Sequence, residues 1–327
     1  MWLPNIDRAL TWATASMAAT RPLSSPSDLH SHTIDHRDHE SFLPPAIPLA
    51  VKSPYLNAWL PTGGDFAKTL SGQWARHWPV RWGPYSRKSF RLPWSGMIRI
   101  DGKTFEFLGA PITSSASFGA DDDAATAMAK QTGFELTATR SIFSFEADGV
   151  EFNVTFLSPV TPNDDIKTSL PFSYLAIDVD PTACDKHSIS LYSDIGGEWA
   201  SGDSAVDIVW DFVAHKGAAF HSVARKDQQL FAEYAEQAEW GHTIYATDST
   251  RGLGSSGSSS ELRTRFIRKG RLDGTFDSKY RRIDDDEPVF GFSVPLSSSE
   301  PRVVFTVGHV RHPYVVSCFL TAVHRRY

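Results

Sequence analysis

Between Pro44 and Gly109 the chain places five of its ten tryptophans, Trp59, Trp74, Trp78, Trp82 and Trp94, among prolines and glycines. Proline removes a backbone donor and clashes with the preceding helical turn, so a stretch broken this often cannot form a long helix. Its rings must be covered by a sheet built elsewhere in the chain, or bind something planar. The stretch closes on a hairpin signal: Met97-Ile98-Arg99-Ile100, then Asp101-Gly102, then Lys103-Thr104-Phe105-Glu106-Phe107. Asp-Gly favours the type I′ turn that joins antiparallel strands. A two-residue loop sets Ile98 opposite Phe105 and Ile100 opposite Lys103, with Arg99 and Thr104 on the other face, so one side faces a core.

A second hairpin is expected on Asp148-Gly149. Pairing outward sets Phe145 against Phe152 and Phe143 against Val154 on a buried aromatic face, with Ser144 against Asn153 and Ile142 against Thr155 on a polar one. Asn153-Val154-Thr155 is an Asn-x-Thr glycan acceptor held on that polar face. Further short strands are expected at Tyr174–Val179, Ser188–Tyr192, Ile208–Phe212, Phe220–Val223, Thr243–Thr247, Val289–Val294 and Val303–Val310, each bounded by Pro, Gly, Asp or Ser. So many short strands with so little helical period predict an all-β fold, a twisted antiparallel sandwich of two sheets. Ala124–Gln131 reads as one or two helical turns, and Asp227–Glu239 has mixed periodicity. Thr250–Ser260 reads as a mobile Gly/Ser loop. Residues 1–40 read as an irregular leader outside the core, and no internal repeat is evident.

The length of 327 residues suffices for one large core or two modest ones. A net charge of −6, spread in short patches, gives no electrostatic footprint for nucleic acid or an anionic membrane, and neither partner is expected. No apolar run reaches the length of a membrane helix. Cys184 and Cys318 are too few for a disulfide scaffold, and whether they bridge is left open. In the leader, His30, His32, His36 and His39 sit beside Asp35 and Asp38. Such tracts are more often solvated than metal-bound, so no metal and no cofactor is expected.

Several catalytic signatures are absent. No lysine follows a serine by three residues, which excludes the Ser-x-x-Lys pair of β-lactamase-like serine amidases. There is no Gly-x-Ser-x-Gly elbow, no His-Glu-x-x-His zinc helix and no Gly-x-x-x-x-Gly-Lys phosphate loop. Gly252-Leu253-Gly254-Ser255-Ser256-Gly257 fits the dinucleotide pattern Gly-x-Gly-x-x-Gly, but that pattern needs a strand before it and a helix after it, and Ser258-Ser259-Ser260 reads as more loop. The chemistry that remains rests on carboxylates. Asp194 and Glu198 flank Gly196-Gly197 and precede Trp199, and Glu239 precedes Trp240. A carboxylate can activate water against an amide while an acid protonates the departing ammonia, and a neighbouring indole raises an acid's pKa by desolvation. Asp194, Glu198 and Glu239 are therefore the catalytic candidates and Trp199 and Trp240 the substrate-binding ones. The commoner roles are turn solvation for such acids and core packing for such rings. Trp74, Trp78 and Trp82, spaced by four, are likewise a ligand platform or, the favoured reading, the cover of a long connection.

The strings Pro44–Leu60, Leu70-Ser71-Gly72-Gln73-Trp74, Ile100-Asp101-Gly102-Lys103, Thr137–Ser141, Phe156–Val160, Asp194–Trp199 and Gln237–Gly241 together resemble the fungal glutaminase A family over roughly residues 41–311. The resemblance implies the N-terminal β-sandwich, of super-sandwich type, of a secreted enzyme that hydrolyses glutamine to glutamate and ammonia. In that family a larger domain of paired helices follows, and in related two-domain hydrolases the active site lies chiefly there. Here residues 312–327 diverge and end at Tyr327, so the helical domain is expected to be missing and the chain inactive alone, with a separate helical domain as a possible partner. Secretion is implied by the resemblance alone, since Met1–Thr20, interrupted by Asp7 and Arg8, does not read as a signal peptide. Two rival readings stay open: a carbohydrate-binding module, and a structural partner of a separate helical domain that docks near Val303–Val316.

Overall fold

The computed structural model describes residues 44–62, 70–77, 91–110, 126–215, 217–248 and 251–312. The start of the tryptophan-rich segment forms a small antiparallel sheet of β1 (Ala46–Ala50), β2 (Ala58–Pro61), β3 (Ala75–His77) and β4 (Arg91–Leu92), in that spatial order. Then follow β5 (Trp94–Ile100), β6 (Lys103–Leu108), β7 (Thr126–Met128), β8 (Lys130–Leu136), β9 (Arg140–Ala147), β10 (Val150–Leu157), helix α1 (Asp165–Ser169), β11 (Phe172–Val179), helix α2 (Pro181–Lys186) and β12 (Ile189–Gly196). The rest comprises β13 (Asp207–His215), β14 (Ala218–Arg225), β15 (Glu233–Tyr234), β16 (Gln237–Ala238), β17 (His242–Asp248), β18 (Leu253–Ser258), helix α3 (Ser259–Lys269), β19 (Arg281–Arg282), β20 (Pro288–Pro295) and β21 (Arg302–Val310).

Two large sheets make the sandwich that the strand pattern predicts. One has nine strands in the order β19-β13-β14-β17-β21-β11-β10-β9-β8, the other six in the order β18-β20-β12-β5-β6-β7, and all pairs are antiparallel except β6 with β7. All seven strands expected after the second hairpin are present, with ends shifted by a few residues. Both hairpins have the expected registers, Ile98 against Phe105 and Phe145 against Phe152 included. Asp101 and Asp148 take φ of 47° and 49°, and Gly102 and Gly149 follow at 93° and 81°, the backbone of the type I′ turn. Between the sheets Trp94 packs edge-on to Phe156 and Trp199, and Phe107 to Phe152.

The strand registers gather the two ends of the sandwich into different surfaces. At one end lie the starts of β5, β9, β11 and β17 and the finishes of β10, β12 and β21. At the other lie the two Asp-Gly turns, joined by Lys103 Nζ donating to Asp148 Oδ1 and Oδ2 at 3.1 Å.

Several sequence expectations are corrected. Ala124–Gln131 is not helical: its described part forms β7 and the start of β8. Asp227–Glu239 is a turn ending in the two-stranded ribbon β15–β16, with Phe231, Ala235 and Glu236 at positive φ. The described part of Thr250–Ser260 is not a loop. It forms strand β18 and the start of α3, and small side chains are required there, because a Cβ on Gly254 would lie 2.4 Å from the Phe212 ring. Ser258 then caps α3 by accepting from Glu261 N. The Gly-x-Gly-x-x-Gly run thus does pass from strand to helix, but β18 is an antiparallel edge strand beside β20, so no βαβ unit exists. The Arg99 and Thr104 face is also covered. Met97 and Tyr192 form a second core with Leu262, Phe266 and Ile267 of α3, and Arg99 Nε donates to Ile267 O. Trp78, Trp82, Cys318, the histidine-rich leader and most of residues 312–327 lie outside the described residues, so the Cys184 pairing lies there too.

Candidate functional site

The five site candidates all lie at the end of the sandwich away from the Asp-Gly turns, and the structure gives them different roles. Asp194 sits within β12, not at a strand end, and is fully buried. Arg263 of α3 meets it with two hydrogen bonds, Nε to Oδ2 at 2.8 Å and Nη2 to Oδ1 at 2.9 Å, and the Tyr192 hydroxyl donates to Oδ2 at 2.6 Å. A bidentate, hydrogen-bonded pair of this kind is how a charge survives in a core. Burial alone would lower the Arg263 pKa, but the Asp194 carboxylate outweighs it and holds the guanidinium above its ordinary value. Gly291 on β20 leaves the room, since a Cβ there would lie 3.2 Å from both Asp194 Cβ and Tyr192 Oη. The Trp74 ring lies 5.2 Å from Arg263 Cζ. Asp194 is thus a structural anchor for α3.

Glu239 is also buried and fully engaged. Ser201 Oγ lies 2.8 Å from each of its carboxylate oxygens, Gly202 N donates at 3.1 Å, and Arg225 pairs with it. It ties the ribbon-bearing turn to the segment after β12.

Glu198 differs from both. It stands in a short 3₁₀ turn, Gly197–Trp199, and its side chain keeps 18% of its exposure. Gly196 has no side chain where a Cβ would come within 2.7 Å of Glu198 Oε2. Burial raises the Glu198 pKa, and Arg91, whose Nε lies 3.3 Å from Oε1, offsets this only in part. Arg91 also reaches Glu287 Oε1 at 2.5 Å, and Ser259 Oγ donates to Glu287 Oε2 at 3.2 Å. For Glu287 burial pushes the pKa up, but the Arg91 hydrogen bond and charge win and lower it. The edge therefore holds two carboxyls pushed apart, one toward protonation and one toward ionisation, with a shared guanidinium between them. Groups so arranged suit proton transfer in opposite directions.

Both candidate substrate-binding rings are buried. Trp199 is buried and donates Nε1 to Pro93 O at 2.8 Å. Trp240 is buried against Tyr55, at 6.0 Å between ring centroids, and Phe231, at 5.4 Å. Asn153 is exposed on the outer face of β10, where its Oδ1 accepts from Ser144 Oγ at 2.8 Å. Among the described residues no group of three or more His, Cys, Asp or Glu is placed to hold a metal ion, and no helix is long and apolar enough to cross a membrane.

The partners Arg91, Glu287, Tyr192, Arg225 and Arg263 were not legible as site residues. Tyr192 shares a strand face with Asp194 by its spacing of two, a signal that could have been used. Arg263 lies in a helix hidden behind the Gly/Ser run.

A family model described as "Domain of unknown function (DUF5127)" matches residues 139–324. Glutaminase A of Aspergillus oryzae (strain ATCC 42149 / RIB 40) is 41% identical over 273 residues, 81% of this chain and 36% of the relative. A protein described as "Probable glutaminase/05536", of Arthroderma benhamiae, is 29% identical over 297 residues, 83% of this chain and 32% of the relative. The chain spans about a third of the length of these relatives. Heparan sulfate lyase HepC of Pedobacter heparinus aligns over 58% of this chain and 23% of its own, at 10% identity and a TM-score of 0.28, too low to carry an argument.

Proposed function

The chain belongs to the family of the DUF5127 domain and is a homologue of glutaminase A; from that premise we propose that it is the β-sandwich part of an amidohydrolase that converts L-glutamine to L-glutamate and ammonia, and that it does not turn over glutamine by itself. The observation that carries this reading is the unequal fate of the three acids. Asp194 and Glu239 are consumed by arginines inside the fold, leaving Glu198 as the one candidate with solvent contact. An amide hydrolysis needs a group to activate water, a group to protonate ammonia, and donors for the developing oxyanion. Glu198 supports one of these roles, with Arg91 orienting it; the others fall to residues of the longer protein.

In this reading Glu198 delivers its proton to the leaving ammonia. Burial raises its pKa, which favours the protonated form that such a role needs. The purified chain, given glutamine, should release no ammonia. A chimaera in which the remainder of the Aspergillus oryzae enzyme follows Arg311 should release it. E198Q in that chimaera should lower kcat at least a hundredfold with KM little changed. Robust turnover by the chain alone would refute the proposal.

We also infer that the protein is secreted and carries a glycan on Asn153. The exposed asparagine in mid-strand and the glutaminase A relatives support this. Expression in a secreting fungal host should give a product that loses the mass of one N-glycan on glycosidase treatment, and N153Q should show no such loss. An unmodified secreted product contradicts the glycan.

A further inference from the structure

Lys52 lies on the wall of a cavity of 180 Å³ between the small sheet and the β9–β10 hairpin. The cavity's frame is held: Ser141 Oγ donates to Pro48 O at 2.6 Å, and Ser158 N donates to Thr139 O at 3.0 Å. The Lys52 ammonium is half-buried and donates to Pro159 O at 2.8 Å, a neutral acceptor. Among the described residues no carboxylate pairs with it, although most cations in this fold with comparable burial have one. A partly desolvated ammonium carries three protons, and two of these have no protein acceptor among the described residues.

The hydroxyls beside it leave a further donor. Ser158 Oγ accepts from Val51 N at 2.9 Å, Ser173 Oγ accepts from Lys52 N at 3.3 Å, and the two oxygens lie 3.0 Å apart. One proton fills the contact between them, so the other is free. Ser173 is only 2% exposed, and leaving its proton without an acceptor would cost about 1–3 kcal/mol. Ser173 therefore donates to Ser158, and Ser158 keeps its proton for the cavity that it lines. The rest of the accessible wall is largely apolar, lined by Pro48, Val51, Pro159 and Val160.

We propose that this cavity binds a small aliphatic monocarboxylate, with Lys52 and Ser158 holding the carboxylate and the apolar walls covering the alkyl part. At about 30 Å³ for each water, the space corresponds to about six waters, the size of a ligand of about that many heavy atoms. Concentrated inorganic anions fit the ammonium but leave the apolar walls unused. Alcohols of the same shape fill the walls but leave the cation unmatched. Neither Glu198 nor the amidohydrolase reading enters into this site.

Calorimetric titration of the whole chain with 3-methylbutanoate tests it, with inorganic phosphate and 3-methylbutan-1-ol as the two controls. The expected result is saturable binding of the carboxylate, at least tenfold weaker binding of both controls, and at least a tenfold loss in K52M. V160W, at an exposed position on the wall, should also abolish binding while leaving Lys52 in place, so the proposal does not depend on the lysine variant folding. Absence of saturable binding, equal binding of either control, or binding unchanged in both K52M and V160W would overturn it.

Discussion

The two ends of the sandwich are built from the same antiparallel strands and differ in where their charges lie. At the hairpin end most of the charges stay in water. Lys103 with Asp148, His187 with Asp101 and Arg302 with Asp178 are pairs whose side chains retain a third or more of their exposure in nearly every case. At the opposite end Arg263 with Asp194 and Arg225 with Glu239 are taken into the protein and hydrogen-bonded on several sides. Both ends are cross-linked over long stretches of chain, Lys103 and Asp148 being 45 residues apart and Asp101 and His187 86, so burial and not sequence separation distinguishes them. Asp194 and Arg263 are 69 residues apart, Glu239 and Ser201 are 38 apart, and Gln237 reaches 39 residues back to donate to Glu198 O. The end that buries its ion pairs is also the one where Glu198 keeps solvent contact.

The largest break in that comparison is expected from R263M. It leaves Asp194 buried and unpaired and should cost about 3–5 kcal/mol in urea denaturation at pH 7. K103M at the hairpin end should cost under about 1 kcal/mol, since exposed pairs contribute little. Equal effects would erase the distinction between the ends.

A pH series sharpens it. His309, near the finish of β21, is buried, and burial with the Arg311 and His242 charges takes its pKa down to about 3. His221, packed among the tilted rings of Phe212, Phe290 and Phe292, is taken down by burial to about 4. Both bind protons more weakly folded than unfolded, so stability is intact above about 6.5 and falls as the pH drops below it. Each contributes a slope approaching about 1.4 kcal/mol per pH unit until its folded value is reached. H221F, which keeps the ring among aromatics, should flatten the chain's acid denaturation profile between pH 6 and 4. An unchanged profile would remove His221 from the account.

A small effect is also expected at the second Asp-Gly turn. Gly149 has φ of 81°, and a Cβ added there would meet nothing within 4 Å, so G149A should cost about 1 kcal/mol through backbone strain alone. A loss several times larger, read from the thermal midpoint, would mean that this end too depends on buried packing.

These differences explain what could be read from the residues alone. The hairpin registers were legible because a two-residue turn and a period of two determine every facing pair, as with Phe145 and Phe152 or Ile98 and Phe105. The candidate acids were legible as residue types, but their roles were not. Nothing local in Asp194-Ile195-Gly196-Gly197-Glu198 says which carboxyl meets an arginine from a later helix. That helix was itself concealed, because Gly252–Ser260 has the composition of a linker. Only packing against Phe212 and the cap at Ser258 makes it a strand running into α3. The second core under α3 was missed for the same reason.

Glu198 and Asp194 stand four residues apart, and their contrast is the direct test of the account. A carboxyl whose folded pKa lies above its unfolded value of 4.5 binds protons more tightly in the folded state, so its ionisation costs stability as the pH rises through that window. Urea denaturation of E198Q and D194N at pH 7 and pH 4.5 should therefore separate them. E198Q is predicted to match or exceed the parent at pH 7 and to differ little at pH 4.5, while D194N loses about 3–5 kcal/mol at pH 7. A loss in E198Q as large as that in D194N, or a D194N protein as stable as the parent, would contradict the division of these acids into a structural anchor and an acid that keeps solvent contact.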